Sequence, residues 1–202
     1  PIPGIPKEVK VVCFLVFDQN YGTLSAKDLL SNLDFIHHRS GNSMYFFLCG
    51  VSQYGANDKK ARSLGKLEGV ELYHNAEATE SFVKIFKKEI AGYDHQVGLD
   101  LILVDIRGDV PNRKLDFNSA IYLNLDTLVE LDIIKNPSVI MNSISKFSKD
   151  GKLSTAASFR DEMKARAGIN WVKEIILSMF PGAVKKLTQT QAALGGPSKY
   201  TR

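Results

Sequence analysis

No apolar run in this 202-residue chain approaches the roughly 18 residues needed to span a bilayer, and no basic-then-apolar segment opens it. A membrane-spanning or exported protein is therefore not expected. Cysteine is scarce: Cys13 and Cys49 are the two in the chain, they form no C-x-x-C pair, and each sits in an apolar run. That excludes a thioredoxin-type dithiol and favours two reduced core thiols in a cytoplasmic protein. The nucleotide-binding signatures are missing as well. There is no Walker A motif and no G-x-G-x-x-G, and Ser63-Leu-Gly-Lys66 has the letters of a phosphate loop without its spacing. The absence of H-E-x-x-H and G-x-S-x-G removes the zincin and nucleophile-elbow mechanisms.

What is present begins with Val9–Phe17, VKVVCFLVF, short and rich in β-branched and aromatic residues. Such a run reads as a strand buried on both faces, because a half-exposed strand would alternate. Ahead of it, three prolines in the first six residues remove donors and fix φ, so residues 1–8 are expected to be a leader or linker. After it, Ser25-Ala-Lys-Asp28 reads as a capping box, and Leu29, Leu30, Leu33 and Ile36 recur at helical spacing up to Ser40-Gly41. Met44–Cys49 reads as a second buried strand, making a β-α-β unit of the size of a parallel crossover.

Residues 52–69 are polar and glycine-punctuated and read as a surface loop, with a short strand at Val70–Tyr73. Asn75 then caps a helix that has Glu77 and Glu80 in its first turn and Lys87 and Lys88 near its end. Those charges complement the macrodipole, and Phe82, Ile85, Phe86 and Ile90 form the expected buried stripe. Leu99–Ile106 and Asp116–Leu125 read as strands joined by a loop too short for a crossover helix, hence an antiparallel hairpin. Thr127-Leu-Val-Glu130 is a second capping-box pattern. Asn136-Pro137 opens a helix with Asn as cap and Pro in the first turn, carrying Val139, Ile140, Ile144 and Phe147 on one face. Helices near Ser158–Ala167 and Ile169–Phe180 and a polar tail from Thr188 complete the chain.

The resulting expectation is an α/β fold whose central sheet is mostly parallel with an antiparallel hairpin. The element order β-α-β-α-β-β-α resembles that of the thioredoxin-like superfold, with an open flavodoxin-like sheet as the alternative. The α/β core is placed at 9–134, a basic helical extension packed on it at 135–187, and a tail at 188–202.

Three functional readings come from the residues. Net charge is +4 but uneven: from Lys135 onward there are 12 Lys/Arg against 4 Asp/Glu, and before it 14 against 18. A basic C-terminal third and a Pro-rich leader fit a non-catalytic binding or assembly module, working as an oligomer or with a protein partner. The same basic third offers Lys149, Lys152, Arg160, Lys164 and Arg166 to nucleic acid or an acidic partner. In an enzyme, Asp18 and Asp105, both at strand ends, would share one edge of a parallel sheet. There they could hold Mg²⁺ against a phosphorylated or nucleotide substrate, with Asn20 and Asn124 as neutral ligands. Cys49 is the candidate nucleophile. The adjacent pair His37 and His38 points in different directions on a helix, and His74 and His95 flank the second helix at opposite ends, so no shared His site is expected.

Overall fold

The computed structural model describes residues 5–17, 24–34, 36, 44–55, 59–95, 97–109, 112–130, 132 and 134–162. The elements are β1 (Val11–Phe17), α1 (Leu24–Ser31), β2 (Met44–Leu48), β3 (Val51–Ser52), β4 (Arg62–Leu67), β5 (Val70–His74), α2 (Ala76–Glu89), β6 (Leu99–Arg107), β7 (Lys114–Asn124), α3 (Leu125–Glu130) and α4 (Pro137–Lys149). A further helical stretch occupies residues 156–162. The fold is mixed α/β. It has a four-stranded sheet in the order β2-β1-β6-β7 and a second sheet in the order β3-β5-β4.

All seven residues of β1 are buried, because β1 is central and both faces of the sheet are covered. Val11, Cys13, Leu15 and Phe17 point into one core with α1, α3, α4 and residues 153–159. Val12, Phe14 and Val16 point into the other, where α2 supplies Phe86 and the loop after it supplies Ile90 and Tyr93. Phe86 lies within ring-contact distance of Phe14, Phe82, Tyr93 and Phe117, an aromatic cluster that pins α2 to the sheet. Of the expected α2 stripe, Ile85 falls outside it at 48% exposure.

The sheet is not mostly parallel. β1 and β2 run parallel, whereas β6 is antiparallel to β1 and β7 to β6. The physical reason lies in the connection. The Asn75 N–H donates to the Gly50 carbonyl just past the end of β2, so α2 starts at the edge where β1 and β2 finish. The return loop 90–98 delivers Leu99 opposite Phe17, at that same edge. A strand entering there can only run back down the sheet. The β6–β7 hairpin is as the sequence implies.

The stretch 52–69, expected to be a surface loop, holds a strand at Arg62–Leu67. Arg62–Leu67 pairs with Val70–His74 across the turn at Glu68-Gly69, where both residues have positive φ, 48° and 80°. That is the backbone a two-residue hairpin turn needs. The ribbon leaves no trace in the hydropathy pattern because β4 has no fully buried residue and so no apolar alternation.

β2, expected to be buried, is an edge strand with Tyr45 and Phe47 exposed at 38% and 37%. The N-terminal segment is tied down at its described end: the Arg113 guanidinium donates to the carbonyls of Ile5, Pro6 and Val9. No helix among the described residues is long and apolar enough to cross a membrane.

The helix caps differ from the sequence reading. Asp28 does not serve α1. Its Oδ2 accepts from the Ser138 N–H at 3.1 Å and the Ser138 hydroxyl at 2.5 Å, capping α4 across the core interface. Asn136 makes no side-chain cap. The second box is replaced by Asn124, whose Oδ1 accepts from the backbone N–H and the hydroxyl of Thr127. Asn75 caps α2 as expected, accepting from the Ala78 N–H at 3.1 Å.

Candidate functional site

The edge where β1 and β2 end also gathers a buried polar network. The loop 90–98 must re-enter the sheet beside Phe17, and Asp100 follows at the second position of β6, opposite Val16. Asp100 is 3% exposed, and a carboxylate so deep requires partners. Its Oδ2 accepts from the Tyr93 hydroxyl at 2.9 Å and lies 2.6 Å from His95 Nδ1. Its Oδ1 accepts from Asn124 Nδ2 at 2.8 Å. Asp126 completes the corner by accepting the Leu99 N–H at 2.7 Å. Burial first, and the Asp100 charge second, push the Tyr93 phenol well above its ordinary range, so it stays a donor.

With Nδ1 facing Asp100, His95 has the orientation in which a carboxylate sets the ring's tautomer. His95 also lines a cleft of about 280 Å³, with Phe17, Ala76, Thr79, Glu80, Val83, Lys84 and Lys87. The return loop therefore carries His95 back along α2 toward its first turn. Lys87 is paired with Asp94 at 2.6 Å.

His74 belongs to a separate buried node. Its Nε2 is 2.6 Å from Thr79 Oγ1, and that hydroxyl donates to the Cys49 carbonyl at 3.1 Å. Burial lowers the His74 pKa from 6.5 to about 4.

Of the residues singled out from sequence, Asp105 pairs with Val11, at the start of β1. Phe17 lies six residues further along, about 20 Å at ~3.3 Å per residue. Because β6 is antiparallel, the C-terminal ends of β1 and β6 lie at opposite edges of the sheet, not at the one edge a parallel pair would share; Asp18 and Asn20 themselves lie outside the described residues. The Asp105 carboxylate instead accepts the Ala156 N–H at 2.5 Å, tethering the start of the 156–162 helix. Asn124 is occupied as a cap and as the Asp100 partner. Among the described residues no group of three or more His, Cys, Asp or Glu side chains is placed to hold a metal ion.

Cys49 is fully buried and burial pushes its thiol up, away from the nucleophilic thiolate. Cys13 and Cys49 are free thiols in the two different cores, so the sheet separates them. Lys149 and Lys152 are exposed around the end of α4, and Arg160 Nε pairs with Asp161 at 3.1 Å; Lys164 and Arg166 lie outside the described residues, as do His37 and His38.

Sequence reasoning alone passes over Asp100 and Tyr93, and weighs His95 only against His74 as a metal pair. A signal exists: Asp100 interrupts an otherwise apolar strand run, and a charge in a buried strand implies local partners. Comparisons with protein-family models, curated proteins and solved structures returned no significant match for this chain.

Proposed function

We propose that the chain is a non-catalytic α/β binding module that assembles through the outer edge of β2, in the first instance with a second copy of itself. The observation that carries this reading is the character of that edge. Natural sheets guard an open edge with Lys, Pro, a bulge or a covering element. β2 reads Met-Tyr-Phe-Phe-Leu, with none of these residues, and no strand pairs with its outer side among the described residues. The Cys49 N–H points inward to the Leu15 carbonyl. By the alternation of a strand, the backbone groups of Phe46 and Leu48 face outward.

A second copy fits because the strand is uncharged and self-complementary. Antiparallel pairing about a twofold at Phe46 sets Tyr45 against Phe47 of the other copy. Cross-strand aromatic pairs of this kind contribute about 0.2–1 kcal/mol each, and the contact is isologous. Within this reading the four-stranded sheet is a thioredoxin-like arrangement: without the small sheet, the order is β-α-β-α-β-β-α.

Light scattering on a sizing column tests the proposal. The full chain is expected to dimerise with concentration, and Tyr45→Lys to hold it monomeric at an unchanged melting temperature. A strictly monomeric wild type, or a dimer indifferent to Tyr45→Lys, overturns it. The competing readings have less support. A Mg²⁺ enzyme needs Asp18 and Asp105 together, and the β1–β6 register parts those strand ends. A nucleic-acid surface needs Lys149, Lys152, Arg160, Lys164 and Arg166 on one face, and Arg160 is already paired with Asp161. A salt-sensitive rise in melting temperature with duplex DNA or RNA would favour that surface instead.

A further inference from the structure

We infer that α2 adds a second layer to the contact between two copies, with Ile85 and Phe82 on its β2-side flank meeting Ile85 and Phe82 of the other copy across the same twofold. The inference rests on the β2 edge pairing proposed above and extends it to a helix surface.

The first support is where the flank points. The Phe82 ring lies 5.3 Å from that of Phe47 in β2, whereas Phe86 faces Phe14 of β1 and Phe117 of β7. At ~100° per residue, Ile85 is turned about 60° from Phe82 on the side away from Phe86. Ile85 therefore overhangs the outer edge of β2, and it is 48% exposed. Tyr45 and Phe47 share one face of β2, and Phe47 reaches Phe14 and Phe82 on the α2 side. Tyr45, Phe47, Phe82 and Ile85 thus form one apolar strip along the edge.

The second is spacing. A twofold at Phe46 stands perpendicular to the continuous antiparallel sheet, so both α2 helices lie on one face and run antiparallel. α2 bridges β1 and β2. With strands ~4.8 Å apart, a helix midway between them lies about 5 Å from the twofold and about 10 Å from its mate, the spacing of packed helices. α2 runs back along β2 from the edge where that strand ends. One strand residue from Phe47 to Phe46, ~3.3 Å, equals about two helical residues, so the axis passes beside about residue 84. Ile85 is the flank residue nearest to it. The third is area. Tyr45 and Phe47 are only 38% and 37% exposed, and at ~150–250 Å² per aromatic side chain the two offer about 150 Å². A stable interface buries about 800 Å² per partner, so a dimer built on this edge must also cover the surface beside it. The fourth is charge. Antiparallel helices oppose their macrodipoles and bring Lys88, in the last turn, toward Glu77, in the first turn of the other copy.

Sedimentation velocity on the full chain over a concentration series tests the contact, using Ile85→Asp, Ile85→Lys, their equimolar mixture and Tyr45→Lys. Each Ile85 variant alone should dimerise at least about tenfold more weakly, because two like charges are then buried at the axis. Mixed, the two should recover a heterodimer, since opposite charges meet there. A loss of dimer caused by damage to the helix itself would show no such recovery. If Tyr45→Lys dissociates the dimer while Ile85→Asp leaves it intact, or if the mixture fails to recover, the helix contact is overturned and the edge pairing stands. If the wild type is monomeric, or Tyr45→Lys leaves the dimer unweakened, the edge pairing itself falls and this inference falls with it.

Discussion

Replacing Asp28 by Ala should destabilise a helix to which Asp28 does not belong. Asp28 sits in α1, but its carboxylate accepts both the backbone N–H and the hydroxyl of Ser138 in the first turn of α4. Loss of an N-cap acceptor costs about 1 kcal/mol. A hydrogen bond to a charged group adds ~1.5–3 kcal/mol in the more buried cases. Asp28 is half-buried, so a total near 2 kcal/mol is expected, about 4–8 °C in Tm for a domain of this size. Asp28→Asn retains an acceptor oxygen without the charge and should fall between. Asn136, the residue preceding Pro137, makes no side-chain cap, so Asn136→Ala should stay within about 0.5 kcal/mol. Urea unfolding of the three variants decides. If Asn136→Ala costs a kilocalorie or more while Asp28→Ala is neutral, α4 is capped locally and the cross-helix argument is wrong.

Two further outcomes follow from the His74–Thr79 node. His74 has its pKa lowered to about 4, so between about pH 6.5 and 4 the unfolded chain binds a proton that the folded chain refuses. Stability should be complete above pH 6.5 and decline as pH falls toward 4, by ~2–3 kcal/mol. His74→Gln should remove that decline, and parallel stability–pH curves for the two proteins would refute the linkage. Gly50 has φ of 75°, and a Cβ there would overlap Thr79 Oγ1 and come within 2.8 Å of the Asn75 carbonyl. Gly50→Ala should therefore be markedly more destabilising in thermal melts than Gly65→Ala, whose Cβ meets nothing within 4 Å, and equal losses would count against the close packing.

Several features are legible in the order of the residues. β1 reads as buried on both faces because both cores need its side chains, and the run of β-branched and aromatic residues has no other use. The β6–β7 hairpin is legible because its short connection leaves no room for a crossover. The Asn75 cap and the charges at the ends of α2 are legible because a cap acts within one turn of its own helix. The β4–β5 ribbon is not, since a largely exposed strand such as β4 carries no hydrophobic period. In the candidate site, Asp100 is visible as a misplaced charge, but its partners Tyr93, His95 and Asn124 are not. Asn124 lies 24 residues away in sequence and meets Asp100 through the β6–β7 register.

The sequence by itself determined which segments are strands or helices wherever local patterning is strong, and it carries neither a C-x-x-C pair nor a Walker A motif. Tertiary structure alone decided the direction of β6, the capping of α4 by Asp28, the exposure of β2 and the convergence of His95 on the cleft. The division has one physical cause. Propensity, periodicity and turn chemistry act within a few residues, whereas each of the other features depends on where a connection of tens of residues returns to the sheet.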